Sequence, residues 1–460
     1  MLVIGRRVFL AVFFLLMPAL SAGLFYYFYR PGIKIGNHVL KLNTRAGINP
    51  KKQYALRIWE YQWPVSDGRN DYGTYLREAV HKFQILYPQV KVEIKYLDML
   101  EGPAEVSQAL ERNEGPDLYC SNYAIPEFDF RRQIPVGPFL SAKEKRAFLP
   151  SATASCSLDG ILCLFPRWTS PGVWIGNRAL LEEAGFNPDT VREHGWTWRE
   201  FADGASRLPA GINALSGNPG YSGFLTQLAT TGGCGFNEGS PAACDGLKRA
   251  LDFLGGLIDA GRIVKNPGQD FLSPFMQGRA MVLAGARPLY FKPLSEKSRR
   301  TGAGFETILL PVPIRNKKSP GIPWDYGVIC VYRNRRTRGD DHIAAAVKLG
   351  YFLSTYRESW PWEKLMFYPA ALESAERWEK KAGLSSEDCA VVRNAAYNGV
   401  KSHSWTGEKY YQDAVYPLLL RFCRGEIGRE EFLTDLRSQL SLTLPFPMGK
   451  GYFPAIVAFR

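Results

Sequence analysis

A repeated succession of strand and helix patterns between residues 55 and 120 constrains the fold most strongly. Apolar alternation and helical spacing predict a strand, a helix, a strand, a helix and a short strand at residues 55–59, 72–86, 90–96, 104–112 and 117–120. Consecutive strands separated by helices pair in parallel, with the helices covering both faces of the sheet. The sequence therefore predicts a doubly wound α/β lobe.

Length and composition extend this prediction to a second lobe. A chain of 460 residues exceeds one ordinary hydrophobic core, and 46% hydrophobic with 13% aromatic residues indicates a folded body. The net charge of +13 is compatible with nucleic acid, anionic lipid or an anionic ligand. The sequence has no dense basic helix and no recognisable nucleic-acid module, so we expect a generally basic soluble surface and no nucleic-acid partner. None of its five histidines has metal-ligand spacing to cysteine, and no metal or cofactor is expected.

The stretch from Asp159 to Pro188 combines a turn, two strands and the start of a helix, and predicts a crossover between lobes. Asp159-Gly160 between apolar runs is typical of a two-residue hairpin. Two prolines then bracket Arg167 and Trp168, so we expect a cation and an aromatic ring on a loop with restricted backbone freedom. Such a loop suits a binding site.

Polar and aromatic residues also follow the predicted strands of the first lobe. Glu60 and Trp63 come directly after the first strand, and Asn122 follows the third. Doubly wound sheets bind ligands outside the carboxyl ends of their strands. These three residues are therefore candidate ligand contacts.

Several motifs occur in a fixed order from the crossover onward. Gly160 to Pro166, Trp174, Asn177 to Gly185 and Thr197 to Phe201 match the patterns G-x-x-(Y/F)-x-x-P, (Y/W), N-x-x-(L/F)-(L/F)-x-x-A-G and T-W-x-E-F. In this order they resemble the extracytoplasmic solute-binding proteins of ABC importers, a family that includes maltose-, oligosaccharide- and glycerol-phosphate-binding proteins. The resemblance covers roughly residues 54–440.

The resemblance implies a periplasmic-binding-protein-like α/β fold of type II, similar to maltose-binding protein. Two doubly wound lobes would be joined by a hinge, and the C-terminal part would be helical. The implied organisation is a signal peptide or membrane anchor at 1–30, a tether at 31–52, a first lobe at 53–165 and 313–355, a second lobe at 166–312 and 356–442, and a tail at 443–460.

Further ligand contacts are implied by the positions that match the family's site loops. Segment 321–327, GIPWDYG, replaces the family's usual glycine-rich segment, which puts the ligand size in doubt. Gly233 matches a glycine that borders the ligand, although a plain helix cap is an equal alternative. The complete set of candidate ligand-binding residues is Glu60, Trp63, Asn122, Arg167, Trp168, Gly233, Arg287, Trp324, Asp325 and Tyr368.

The chemistry of this set indicates binding rather than catalysis. The sequence carries no nucleophile elbow, zinc-protease or phosphate-loop motif. Tryptophan beside planar polar groups suits a sugar or polyol, which has an apolar face and directional hydroxyls. Arg167 would also match a phosphate or carboxylate. We therefore expect a solute-binding protein that delivers a sugar, polyol or glycerol phosphodiester to ABC permease subunits.

Two other functions stay open at this point. A glycoside hydrolase could use two of the carboxylates Glu60, Asp117 and Asp325, whose separation would decide the mechanism. An anchored sensory or assembly subunit could keep the fold without transporting a solute.

The N-terminal sequence predicts export. Arg6 and Arg7 precede an apolar run from Val8 to Tyr29, which is long enough to span a bilayer. Small residues near position 22 would also permit cleavage as a signal peptide, so both outcomes stay open. No cysteine precedes Cys120, so lipid modification of a cysteine is not expected. These features favour a periplasmic protein, with an inner-membrane anchor if the run is retained.

Two cysteine pairs are candidates for disulfides in an exported chain. Cys156 and Cys163 would lie opposite one another across the predicted hairpin, as a hydrogen-bonded pair that is less favourable for a bridge. Cys234 and Cys244 would close a short loop. Free buried cysteines are the alternative for each pair.

Overall fold

The computed structural model describes residues 32–99, 101–121, 128–217, 222–234, 244–264, 271–286, 288–300, 305–316, 321–401 and 414–443. The predicted leader at 1–30 and the tail beyond Thr443 lie outside these residues. Across the described stretches, no helix combines the length and apolarity that crossing a bilayer requires.

Fifteen strands are present in the described residues. In chain order they are β1 Ile33–Ile35, β2 His38–Leu40, β3 Tyr54–Tyr61, β4 Val90–Leu97, β5 Leu118–Cys120, β6 Ser157–Leu158, β7 Ile161–Leu162, β8 Phe165–Pro171, β9 Val173–Asn177, β10 Asn213–Gly217, β11 Ala280–Ala286, β12 Thr307–Leu310, β13 Ile322–Val331, β14 Tyr368–Pro369 and β15 Gly399–Lys401.

The α-helices of the described residues fill the intervals between these strands. In chain order they are α1 Tyr72–Leu86, α2 Gly102–Glu111, α3 Ala142–Lys145, α4 Pro150–Ser155, α5 Arg178–Glu183, α6 Pro188–His194, α7 Trp198–Arg207, α8 Ser222–Thr231, α9 Asp245–Asp259, α10 Ser273–Met276, α11 Pro288–Arg300, α12 Asp340–Ser354, α13 Trp360–Leu365, α14 Leu372–Lys381, α15 Ser386–Tyr397, α16 Tyr416–Cys423 and α17 Arg429–Thr443.

The first lobe has the predicted doubly wound arrangement. Strand β3 pairs in parallel with both β4 and β5, and α1 and α2 connect these strands. Asp71 caps α1 by accepting a hydrogen bond from the Thr74 amide at 2.7 Å. The buried face of α1 includes Leu76, Ala79 and Phe83, which is the apolar spacing that the sequence predicts.

Two strand connections link the first sheet to the second. The first sheet has the order β14-β8-β13-β5-β3-β4, and the second has the order β10-β11-β9-β12. Only Gly172 separates β8 in the first sheet from β9 in the second, and the chain returns through residues 311–321 between β12 and β13. The predicted α/β fold with two lobes is therefore confirmed, and β8 and β13 lie side by side where the chain crosses.

The C-terminal helices pack into two hydrophobic cores. Trp362 of α13 and Trp378 of α14 lie in the core that contains the first sheet, whereas Leu418 and Phe432 belong to the second core. Because the first of these cores also includes Val173 and Ile175 of β9, the assignment of 356–442 to the second lobe stays a prediction. The tryptophans of α13 and α14 pack beside β8 and β14, which the helical spacing alone could not reveal.

The predicted tether at 31–52 also forms part of the first lobe over its described residues. Strands β1 and β2 pair as an antiparallel hairpin, and Ile35 and Leu42 are buried. The Asn43 amide donates to Asp340 Oδ2 at 3.1 Å, which fastens the segment to the start of α12. The sequence did not predict this packing, because the segment has only short apolar stretches and no long hydrophobic periodicity.

The two cysteine pairs differ in the structure. Cys234 and Cys244 form a disulfide with their Cα atoms 5.7 Å apart. The predicted hairpin is present, with positive φ at Asp159 and Gly160, yet no disulfide joins Cys156 to Cys163. Cys156 belongs to the end of α4 rather than to a strand, and the Cys163 thiol donates to the Ile161 carbonyl at 3.3 Å.

Burial is expected to make two thiols slow to alkylate. It raises the pKa of Cys163 to about 11 and that of Cys423 to about 12. Because the thiolate is the nucleophile, iodoacetamide at about pH 8 should modify both at least roughly 100-fold more slowly than a solvent-exposed cysteine. Peptide mass spectrometry of the native and the denatured chain measures this difference. The disulfide cysteines are the internal control, since they should label only after reduction; fast native labelling of Cys423 would contradict its buried position.

Candidate functional site

A β-bulge at Arg167 organises the region where the chain crosses between lobes. Along β13, Gly327 pairs with Trp168 and the next residue, Val328, pairs with Pro166, so Arg167 is the extra residue of β8. A bulge turns the side chain of its extra residue away from the regular alternation. Arg167 and Trp168 accordingly both approach one ring, that of Trp362. The prediction of a loop at this point is wrong, because these residues lie within a strand.

Gly327 permits the close approach of Trp168 to β13. A Cβ atom at position 327 would lie 2.2 Å from the indole ring of Trp168. The other side of the indole stacks on Phe367, with ring centroids 4.0 Å apart. The absent side chain therefore lets Trp168 fit between the strand and Phe367.

Glu60 and Arg167 form a buried ion pair at the end of β3. Their side chains are 0% and 3% exposed, and Arg167 Nη1 donates to Glu60 Oε2. The second Nη atom donates to the Tyr72 hydroxyl at 2.8 Å, and the guanidinium lies 5.0 Å from the ring centroid of Trp362. Although burial lowers the pKa of Arg167, the Glu60 carboxylate raises it, and the result lies well above the ordinary value. The pair is charged and enclosed, which stabilises only when its hydrogen bonds are complete.

Trp63 and Trp168, both candidate ligand contacts, are buried beside this pair. Trp63 meets Trp168 and Phe367 edge to face, with centroids 5.5 Å and 5.4 Å away. Trp63 and Trp168 are 2% and 0% exposed. The two rings therefore form an aromatic cluster with each other, and a ligand role for them stays a prediction.

Three buried polar atoms near the bulge keep unused hydrogen-bonding capacity. Among the described residues, no hydrogen-bond partner lies within reach of Arg167 Nε, Thr169 Oγ1 or Ser170 Oγ. Buried polar atoms in folded proteins are nearly always satisfied by a partner. Thr169 and Ser170 were not among the candidate contacts, and only their place between two prolines in the crossover could have indicated them.

The remaining candidates lie at separate positions around the crossing strands. Asp325 pairs with Ser170 across β8 and β13 and is partly exposed, and Trp324 precedes it in β13. Tyr368 pairs with Thr169, and its hydroxyl donates to Glu379 Oε1 at 2.6 Å. The candidate loop 321–327 is thus largely strand.

Gly233 ends α8 in the second lobe. Its φ of 108° and its amide bond to the Thr230 carbonyl at 2.9 Å are those of a residue that terminates a helix. A ligand role for Gly233 stays a prediction. Asn122 and Arg287 lie outside the described residues.

The two-lobed fold of this chain is similar to that of several solved structures. The sugar-binding protein MalE from Xanthomonas citri matches with a TM-score of 0.63 and 15% identity, over 84% of this chain and 96% of that one. The galacto-N-biose-/lacto-N-biose I-binding protein of the ABC transporter from Bifidobacterium longum matches with a TM-score of 0.62 and 19% identity, over 85% and 97%. The cyclic α-maltosyl-1,6-maltose binding protein from Arthrobacter globiformis matches with a TM-score of 0.62 and 14% identity, over 85% and 98%. This chain has their two-lobed binding-protein fold.

No protein-family model matches the sequence, and no curated protein sequence matches it either. The likeness at 14–19% identity therefore concerns the fold. In this two-lobed binding-protein fold, the bulge site lies on the strands that join the lobes.

Two of the three carboxylates considered for glycoside hydrolysis, Glu60 and Asp117, have structural partners in this fold. Glu60 is paired with Arg167, as described above. Asp117 is fully buried and accepts hydrogen bonds from the Arg57 amide at 2.8 Å and the Asn334 side chain at 3.0 Å. His342 Nε2 lies 3.0 Å from the same carboxylate. Both groups are held by neighbours, which disfavours their use as an acid and base pair.

A cavity of about 600 Å³ lies in the second lobe, near the start of β12. Its wall contains an ion-pair network: Arg192 Nη2 donates to Asp388 Oδ1 at 2.8 Å, and Arg178 Nη2 donates to Asp189 Oδ1 at 2.8 Å. The Leu309 amide donates to Asp388 at 3.0 Å. These contacts join α6 to α15, so the cavity borders a structural network rather than the bulge site.

Proposed function

We infer that the protein is an extracytoplasmic solute-binding protein of an ABC importer, which captures a neutral sugar or polyol between its lobes and delivers it to the membrane permease. The observation that carries this proposal is the set of buried, unpartnered neutral groups on β8, the strand that leads directly into the second lobe. The three matched structures are of sugar-binding proteins, which supports the same solute class.

The positions of β8 and β13 suit a mechanism of lobe closure. A solute that contacts both lobes binds the closed form better than the open form, and therefore shifts the population toward closure. The connection at Gly172 and the described residues 311–316 after β12 would take up the change in backbone angles. The permease would recognise the closed form, and no chemistry on the solute is required.

The use of Arg167 favours a neutral solute over an anionic one. Both of its Nη atoms already donate, one to Glu60 and one to Tyr72. A phosphate or carboxylate solute could not form a bidentate pair without breaking the buried ion pair. The Thr169 and Ser170 hydroxyls can both donate and accept, which matches sugar hydroxyls. We therefore favour sugars and polyols over glycerol phosphodiesters.

Calorimetric titration of the full-length chain, kept in mild detergent because of its apolar run, tests the proposal. The panel should contain neutral sugars, polyols, their phosphates and amino acids. Saturable heat from a neutral sugar or polyol is the expected result. Binding of only phosphorylated solutes would contradict the solute class, and silence across the panel with folded protein would overturn the proposed function.

Substituting the two hydroxyl residues should separate solute binding from stability. Thr169→Val combined with Ser170→Ala removes two donors and is expected to weaken solute binding by about 10- to 100-fold. The free energy of unfolding should stay the same or rise slightly, because the removed hydroxyls have no partner in the described residues. Calorimetry and urea unfolding measure the two effects.

The matched control is Ser438→Ala, which removes an exposed hydroxyl on α17. It should change neither solute affinity nor stability. Unchanged affinity in the Thr169 and Ser170 variant would exclude these hydroxyls from the solute site.

A further inference from the structure

Arginine side chains gather at one end of the strands of the first sheet, the end away from Glu60. Strand β13 ends there at Val331, and the following segment contacts two other connections. The Arg333 amide donates to the Arg132 carbonyl at 2.7 Å, and the Arg335 amide donates to the Asn113 carbonyl at 3.2 Å. Residues distant in sequence therefore form one surface.

We define the basic face as the six arginines Arg112, Arg131, Arg132, Arg333, Arg335 and Arg338. Arg131, Arg335 and Arg112 have side chains that are 74%, 65% and 61% exposed. This part of the lobe therefore presents its guanidinium groups to solvent.

Carboxylates balance the basic face only in part. Glu114 contacts both Arg112 and Arg335, at 3.5 Å and 2.8 Å. Asp129 likewise contacts Arg131 and Arg132, at 3.9 Å and 3.0 Å. Among the described residues, two carboxylates thus contact four of the six arginines, and Glu111, Asp340 and Asp341 are the other acidic residues next to them in sequence. Six arginines therefore stand against five neighbouring carboxylates, one of which, Asp341, is paired with Lys52.

Two further arginines, Arg57 and Arg336, lie at the inner side of this region. Burial, followed by the positive charge of Arg336, lowers the pKa of Arg57, although Asp117 opposes this change. Both arginines lie beside Asp117, since the Arg57 amide and Arg336 Nη2 donate to the same carboxylate oxygen. A dense set of cations without a matching set of anions favours an external polyanion.

The N-terminal segment indicates which polyanion. The apolar run 8–29 ends only two residues before Gly32, so an extended chain allows at most about 10 Å between that run and the start of β1. The β1–β2 hairpin lies near the basic face, because the His38 ring stacks on Phe130, the chain neighbour of Arg131, with centroids 4.0 Å apart. A bilayer that holds the apolar run would therefore lie close to the arginines.

We propose that the basic face docks the first lobe on anionic phospholipid headgroups of the membrane into which residues 8–29 insert. This proposal requires that residues 8–29 are not cleaved and anchor the extracytoplasmic protein in the membrane. It does not depend on solute binding. The proposed solute site is at the opposite ends of the strands, near Glu60 at the end of β3, so docking leaves it facing away from the bilayer. The docked protein would thus capture solute and would have to release the headgroups to present its closed lobes to a permease.

Energy transfer from tryptophan to a dansyl-labelled lipid tests docking with the full-length chain. The chain is reconstituted in vesicles of phosphatidylcholine alone, and in vesicles with about a third phosphatidylglycerol. We expect greater transfer with phosphatidylglycerol, and a return to the neutral-vesicle value when salt rises from about 0.05 to about 0.5 M. The variant R131E/R333E/R338E should lose most of the lipid-dependent increase.

The matched control is R199E/K380E/K381E, which changes charge equally at exposed positions on α7 and α14. It should keep the increase, and both variants should keep the solute affinity of the original chain. Three results would each overturn docking. Energy transfer could be equal in neutral and anionic vesicles, or the two variants could lose the lipid-dependent increase equally. N-terminal sequencing could also show that residues 8–29 are removed from the native protein. A solute titration that succeeds alongside such a result would leave the proposed function intact.

Discussion

Replacing Arg167 with methionine is expected to lower the free energy of unfolding by about 3–5 kcal/mol. The substitution would leave the Glu60 carboxylate fully buried without its cation. It would also remove the donor to Tyr72 and the cation above the Trp362 ring. Urea unfolding followed by circular dichroism measures the loss.

The double variant Glu60→Gln, Arg167→Met separates loss of charge pairing from loss of packing. Since no unpaired charge remains, it should recover most of the stability that the single variant loses. Arg421→Met is the matched control, because that arginine pairs with Glu431 and Asp435 at the surface, and it should cost less than about 1 kcal/mol. A single Arg167→Met variant as stable as the control would show that the pair is not enclosed.

This ion pair marks the limit of what the sequence predicts about the site. Glu60 and Trp63 were expected directly after a strand, and Arg167 and Trp168 on a loop; the structure brings all four together. The sequence does not reveal that they bind one another, since the periodicity of β3 and the two prolines of β8 are equally compatible with solvent exposure. Their burial depends on α13, whose Trp362 comes almost two hundred residues later.

The bulge at Arg167 explains why the predicted loop is a strand. Pro166 and Pro171 lack amide donors, which usually weakens pairing within a sheet. Here Pro166 lies beside the bulge and Pro171 is the last residue of β8. Register shifts of this kind arise from packing between distant segments, so local propensity could not predict the bulge at Arg167.

Local signals, in contrast, predict local structure well. The Asp159-Gly160 turn joins β6 to β7, and the capping box of Thr197 with Glu200 begins α7, with the Glu200 amide 3.2 Å from the Thr197 hydroxyl. Parallel pairing of β3 with β4 follows from the helix between them. Each of these features is determined within about fifteen residues of sequence or by a single chain-topology rule.

Replacing Asp117 with alanine is expected to destabilise the chain by about 3–5 kcal/mol, although this residue lies far from the bulge site. The carboxylate accepts hydrogen bonds from the Arg57 amide and the Asn334 side chain, and Arg336 and His342 also contact it. These groups belong to β3, to the segment after β13 and to α12. Alanine would leave buried donors unsatisfied in three elements at once.

Asp117→Asn should cost less than alanine, because one oxygen acceptor remains for one of these donors. Asp245→Ala is the matched control: that carboxylate is 64% exposed, and within the described ranges its ion pairs are with Lys248 and Arg249 of its own helix, so its loss should cost less than about 0.5 kcal/mol. Urea unfolding of the three variants measures the order. If Asp117→Ala lowered the free energy of unfolding as little as the control does, the strand ends beside the basic face would not depend on this carboxylate. The surface proposed for lipid docking would then be held in place by other contacts.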